Sequence, residues 1–117
     1  MYLDKLDHAC IVDGAKLSYG ETQRFNHGDL EHLTRLLERN TTGKGTMIVV
    51  EGVYSMEGDI ADIPGLSKIA KRFGAALVVD DAHALGVIGP RGDGTGAHYG
   101  MQKDVDIIAG TFSKSLA

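Results

Sequence analysis

The chain has 117 residues, about the length of one domain, with an ordinary 43% hydrophobic and 24% charged residues and a net charge of −4. That charge leaves no basic footprint for a nucleic-acid partner, and no apolar run approaches the ~20 residues of a membrane span. The single cysteine, Cys10, excludes an internal disulfide, and no signal-peptide pattern opens the chain, so the expected location is the cytoplasm.

In chain order, residues 1–7 carry too little pattern to define an element beyond the tail of an interrupted strand. Ala9, Ile11, Val12, Ala15 and Leu17 then follow loose helical spacing, weakened by Gly14. Asp7 is the expected N-cap, which puts His8 in the first turn. Cys10 falls in this stretch and reads as a small buried hydrophobe. Residues 21–25 suit a short strand leading into the turn Asn26-His27-Gly28-Asp29.

The clearest helical pattern spans residues 30–39. Leu30, Leu33, Leu36 and Leu37 make one apolar stripe, with Asp29 as N-cap, a Glu31–Arg35 pair on the surface and His32 on the polar, solvent side. Turn residues 40–45 close it. Residues 46–51 form the next buried-strand pattern, and residues 56–63 read as loop. Pro64 fits the first turn of a helix over residues 65–73, with Leu66, Ile69 and Ala70 inward and Gly74 as its stop.

Residues 76–80 are apolar without alternation, as in a strand covered on both faces, and residues 105–110 repeat the pattern. Strand, helix, strand, helix, strand indicates βαβ units. The fold class read from this is α/β, a mainly parallel sheet with flanking helices. The glycine-rich connection over residues 89–96 lacks both the dinucleotide fingerprint and the Walker lysine, and reads as a flexible or substrate-proximal loop.

Both late strands stop at ionisable residues. Asp80, Asp81 and His83 follow the first, and Thr111, Ser113 and Lys114 the second. If the strands are parallel neighbours, these groups share the carboxyl rim, where open α/β sheets bind ligands. A lysine beyond an apolar strand, partly desolvated, can act as a Schiff-base nucleophile. With an acid to pair a pyridinium nitrogen, it makes the pair that pyridoxal phosphate requires. Taken alone, Asp80-Asp81-Ala82-His83 suits a magnesium ion or a turn cap equally well. A non-catalytic α/β domain binding a metal or nucleotide is therefore the alternative of another class.

Four stretches carry a resemblance. Leu6-Asp7-His8-Ala9-Cys10, Glu51-Gly52-Val53-Tyr54-Ser55-Met56, Val79-Asp80-Asp81-Ala82-His83 and Gly110-Thr111-Phe112-Ser113-Lys114-Ser115 are similar to the α-oxoamine synthases, pyridoxal-phosphate enzymes of the fold type I aminotransferase superfamily. The resemblance implies a transferase that condenses an amino acid with an acyl-CoA thioester and loses carbon dioxide, working as a homodimer. It implies Lys114 as the Schiff-base lysine and Asp80 as the partner of the pyridine nitrogen. It further implies His83 on the phenolic oxygen, His8 stacked on the ring, Ser55 near that oxygen, and Thr111 by the phosphate. Asp81 is left to the backbone.

Residues 110–117 and 56–59 look most like the serine palmitoyltransferase branch, which implies serine, a long acyl-CoA and sphingolipid synthesis. The 8-amino-7-oxononanoate synthase and glycine C-acetyltransferase branches are the alternatives. The family's upstream phosphate loop and its C-terminal domain have no counterpart here. Residues 1–117 are therefore expected to be the central part of one cofactor-binding large domain, and inactive in isolation.

Overall fold

The two apolar runs that end in acids pair side by side. β3 (Thr46–Glu51) and β4 (Ala75–Asp80) run parallel over their whole length, from Thr46 opposite Ala75 to Glu51 opposite Asp80. In the computed structural model, which describes residues 1–117, they sit inside a five-stranded sheet ordered β2-β1-β3-β4-β5 with every pairing parallel. β1 is Tyr2–Asp4, β2 is Gln23–Phe25 and β5 is Ile107–Ala109. The α/β class, the parallel sheet and the flanking helices read from the sequence are all present. The opening residues, too short to assign by pattern, form an interior strand between β2 and β3.

Three helices make the crossovers. α1 (Ala9–Leu17) joins β1 to β2, α2 (Leu30–Glu38) joins β2 to β3, and α3 (Ile63–Phe73) joins β3 to β4. Side chains alternate across the sheet. Tyr2, Ile48, Val50, Leu77 and Val79 pack with Leu33 and Leu37 of α2 and Ile63, Leu66 and Ile69 of α3 in the main core. Leu3, Val49 and Val78 face the other way, against Ile11 and Ala15 of α1. A helix of nine residues is marginal by itself, so α2 owes its stability to this burial. Asp29 caps it, accepting from the His32 N–H at 2.8 Å. Asp62 caps α3 through the Gly65 N–H at 3.1 Å, and Gly74 ends that helix at φ 62°. No helix is long and apolar enough to cross a membrane.

Five expectations need correction. His8, not Asp7, is the N-cap of α1, accepting from the Cys10 N–H at 3.2 Å. Asp7 is instead buried, one carboxylate oxygen accepting from the Asp4 N–H and the other from the Glu51 N–H, which ties the end of β1 to the end of β3. Cys10 is exposed, because in the first turn of α1 it is Ile11 that packs against the sheet. His32 is half-buried, its Nδ1 accepting from the Asn26 N–H at 3.1 Å. β5 is exposed at all three positions, because it is the outer strand and no helix covers it.

The fifth correction concerns the glycine-rich connection. Residues 94–97 are buried, and a short helix, α4 (Thr95–His98), begins there. Asp81, with 0% exposure, holds this segment by accepting from the Thr95 N–H at 2.9 Å and the Thr95 hydroxyl at 2.6 Å. Burial raises the Asp81 carboxyl above the ordinary carboxylate range, and the two Thr95 bonds pull it back. That pair replaces the expected flexible loop with a packed one.

Candidate active site

Parallel pairing of β4 with β5 sets Asp80 opposite Ala109, so the residues that follow each strand emerge at the same rim. The Asp81 N–H donates to the Ala109 carbonyl at 2.8 Å and stitches the two exits together. A cavity of about 280 Å³ opens there. Its lining includes His8, Glu51, Asp80, His83, Thr111 and Lys114. Three strand ends and the first turn of α1 thus meet in one place.

Lys114 Nζ lies 3.0 Å from His83 Nε2. Asp80 makes an Asx turn, its Oδ1 accepting from the Ala82 N–H at 3.0 Å, and its Oδ2 has no partner within the chain. His8 uses Nδ1 to accept from Cys10, so its ring carries its hydrogen on Nε2. Thr111 and Ser113 share a hydroxyl contact of 2.7 Å in the turn leading to Lys114. Ser115 Oγ donates to the Leu85 carbonyl and fastens the segment just beyond the lysine.

Five of the six residues singled out in the sequence therefore line one cavity: His8, Asp80, His83, Thr111 and Lys114. Ser55 does not. It is exposed in the loop between β3 and α3 and lies outside the lining. Lys114 is also exposed, in contrast to the partial desolvation expected beyond an apolar strand. The reason is the outer position of β5, which leaves the segment after it packed only against residues near 83–86.

Glu51 is the lining residue that motif reading quoted without a role. It is 5% exposed, and burial pushes its carboxyl above the ordinary range. A backbone bond with His8 pulls it back, and the charge of Asp80 adds to the rise. The signal was available, since Glu51 ends β3 as Asp80 ends β4. Cys10 and Ser113 line the cavity as well. No three His, Cys, Asp or Glu side chains come together in an arrangement for a metal ion.

The donor set suits an aromatic cofactor with one carbonyl, one ring nitrogen and one acidic hydroxyl. A primary amine, an unpartnered carboxylate oxygen and two imidazoles surround a space of suitable size. The family model for class I and II aminotransferases matches residues 1–117. A serine palmitoyltransferase from Sphingobacterium spiritivorum is 50% identical over 115 residues, covering 98% of this chain and 29% of the relative. An 8-amino-7-oxononanoate synthase from Acidithiobacillus ferrooxidans is 46% identical over 117 residues, covering 99% and 30%. A solved serine palmitoyltransferase variant from S. paucimobilis, with a bound PLP–myriocin aldimine, superposes with a TM-score of 0.94 at 40% identity, covering 98% and 29%. The chain thus spans under a third of the length of the relatives it matches.

Proposed function

The chain belongs to the class I and II aminotransferase family, and from that we propose that it is the central part of the cofactor-binding domain of a pyridoxal-phosphate-dependent α-oxoamine synthase. Its reaction joins an amino acid to an acyl-CoA thioester with loss of carbon dioxide. Serine and a long acyl chain are the preferred pair, supported by the 50% identity to a serine palmitoyltransferase. The 46% identity to an 8-amino-7-oxononanoate synthase supports alanine-type chemistry as the second reading. The observation that carries the proposal is the approach of Lys114 to His83 in a cavity that Asp80 and His8 also line.

When bound, pyridoxal phosphate supplies an electron sink for charge developing on the substrate's α-carbon. The protein's part is holding and proton placement. Lys114 Nζ is the amine that would anchor the cofactor, and once freed from it would be available to accept a proton. Asp80 Oδ2, free of other partners, holds a proton on the ring nitrogen and keeps the ring electron-poor. His83 Nε2, already beside Lys114, would orient the phenolic oxygen; Ser55, outside the cavity lining, would have to reach it from its loop. His8, at the start of α1, would cover one ring face, and Thr111 would help hold the phosphate.

The full-length protein is a homodimer in the cytoplasm on this reading, serving sphingolipid synthesis if serine is the substrate. Exposed Phe112, Leu116 and Val87 beside the rim give apolar area for chain outside residues 1–117, or a second subunit, to cover. The test is made on the full-length chain with added pyridoxal phosphate. A visible absorbance band and borohydride-fixed mass on the Lys114 peptide are expected, followed by carbon dioxide release with serine and palmitoyl-CoA. A cofactor mass on another lysine would overturn the proposal. Turnover with alanine and a shorter dicarboxylic thioester, but not with serine, would shift it to the second reading.

A further inference from the structure

A second group of side chains lies on the β1 side of the same sheet edge. Asp4 ends β1, His27 occupies the turn between β2 and α2, and Asp59 belongs to the loop between β3 and α3. His27 Nδ1 lies 3.0 Å from Asp4 Oδ1, and Nε2 lies 3.2 Å from Asp59 Oδ2. The ring also meets Tyr54 edge-on, with centroids 4.5 Å apart and planes at 76°. These residues border a cavity of about 400 Å³ floored by Phe25, Val50 and Leu66.

Proton counting defines the state of the ring. Asp4 is 2% exposed and already accepts from the Leu6 N–H at 2.9 Å and the Gly28 N–H at 3.1 Å, so it acts as an ionised acceptor. His27 Nδ1 must donate to it. Nε2 faces the second carboxylate and must donate too, which makes the ring an imidazolium. Burial by itself would lower the His27 pKa, and the bonds to Asp4 and Asp59 outweigh it, leaving a pKa above the ordinary histidine value.

The loop of residues 52–61 is fastened at its start, where the Gly52 N–H donates to the Asp80 carbonyl at the end of β4, and beyond that its backbone bonds close on itself. The Tyr54 N–H donates to the Asp59 carbonyl, the Gly58 N–H to the Tyr54 carbonyl, and the Ala61 N–H to the Gly52 carbonyl. The His27–Asp59 bond is the one side-chain hydrogen bond joining this loop to another element. The contacts at Tyr54 and Asp59 bracket Ser55. We propose that His27 is a positioning residue: shared by Asp4 and Asp59, it ties the 52–61 loop to the end of β1 and so fixes the stretch that carries Ser55, outside the lining of the Lys114 cavity. This rests on the reading of Ser55 as a cofactor contact.

The tie is complete while both ring nitrogens carry hydrogen, and it loses one bond as pH rises through the raised His27 pKa. The titratable groups around the ring are Asp4 with Asp7 behind it, Tyr54 and Asp59 on the loop, and Asp62 at the same cavity. Asp59 is largely exposed, so its substitution leaves the core intact.

The test is hydrogen–deuterium exchange on the cofactor-free full-length chain, paired with pyridoxal phosphate titration. Asp59→Ala should lower the protection factors of Tyr54, Gly58 and Ala61 about five- to tenfold near pH ~6, the weight of one partly exposed charge-assisted bond. Amides of β4 should not change, cofactor affinity should fall by a similar factor, and the protection loss should shrink as pH is raised through the elevated His27 pKa and the imidazole becomes neutral. Asp59→Asn, whose amide can donate to a neutral imidazole, should keep protection and lose the pH dependence. Unchanged protection in Asp59→Ala overturns the proposal, as does lost protection with unchanged cofactor affinity. If the unsubstituted chain binds no pyridoxal phosphate, the reading of the site falls and Ser55's role with it, whatever the exchange shows.

Discussion

Lys114 Nζ and His83 Nε2 stand 3.0 Å apart although 31 residues separate them in the chain. The contact exists because β4 and β5 are parallel neighbours whose exits share one edge. With Nε2 accepting, the imidazole is neutral at that nitrogen and the amine donates to it. In the full-length chain, Lys114→Ala is expected to abolish the visible cofactor band and the borohydride-fixed mass. His83→Ala should keep the covalent mass and weaken cofactor binding about tenfold, one hydrogen bond's worth. Absorbance titration and peptide mass mapping check both.

Gly52 leaves no room for a side chain. A Cβ there would overlap Asp81 Oδ1 and the Thr95 hydroxyl, both buried. Gly52→Ala is expected to cost about 3 kcal/mol or to prevent folding, since neither neighbour is the free end of a flexible chain. Thr95→Val keeps the shape and removes the hydroxyl donor, leaving Asp81 short of a partner at a cost of about 1–3 kcal/mol. Urea denaturation midpoints measure each.

Asp7 gives a pH dependence of unusual sign for an aspartate. Burial foremost, then the charge of Asp4, raises its carboxyl from 3.8 to about 8, with the Asp4 and Glu51 N–H bonds opposing. Between those values the folded chain holds a proton that the unfolded chain has released. Stability from this group is therefore complete below the unfolded value and is lost as pH rises through about 8. Thermal midpoints should fall as pH climbs toward that value. Asp7→Asn should flatten part of the slope and lower the midpoint in acid, because one amide N–H₂ would then face a backbone N–H. Glu51 and Asp81, also raised by burial, keep the rest of the slope.

Asp29 closes the first turn of α2 through the His32 N–H. Asp29→Ala is expected to destabilise the fold by about 1 kcal/mol, and Asp29→Asn by less, as judged by denaturant midpoints.

The 117-residue piece by itself is expected to retain pyridoxal phosphate weakly and to show no condensation of serine with acyl-CoA. Anchoring and orientation of this kind are worth about 7–11 kcal/mol of barrier. Here Lys114 and its turn stand exposed beside an outer strand. Gel filtration, absorbance and product assay of the purified piece check the expectation.

The elements with regular apolar spacing were legible in the sequence: β3, β4, α2 and α3, with the cap at Asp29 where the helical pattern of α2 began, whereas the cap at Asp62 lay in what read as loop. The parallel sheet, and the edge at which Asp80, His83, Thr111 and Lys114 gather, followed from where the apolar runs met acids. β1 was not legible, because three residues cannot show a period and its hydrophobicity is completed by Asp4, a buried acid. Its tie to His27 and Asp59 depends on contacts across 23 and 32 residues, which no local spacing encodes. Cys10 misled because the composition around it was apolar, while in its own helical turn Ile11, not Cys10, packs against the sheet.

The strand order carries a consequence for how the chain is made. Of the five strands β1 is made before its two neighbours, and it takes its place between β2 and β3, both complete once residue 51 has emerged. At about 5–20 residues per second these inner strands can pair before β5 is translated. β5, and the lysine that follows it, arrive as late additions to a preformed edge. Lys114 therefore reaches an edge at which Asp80 and His83 are already in position to receive it.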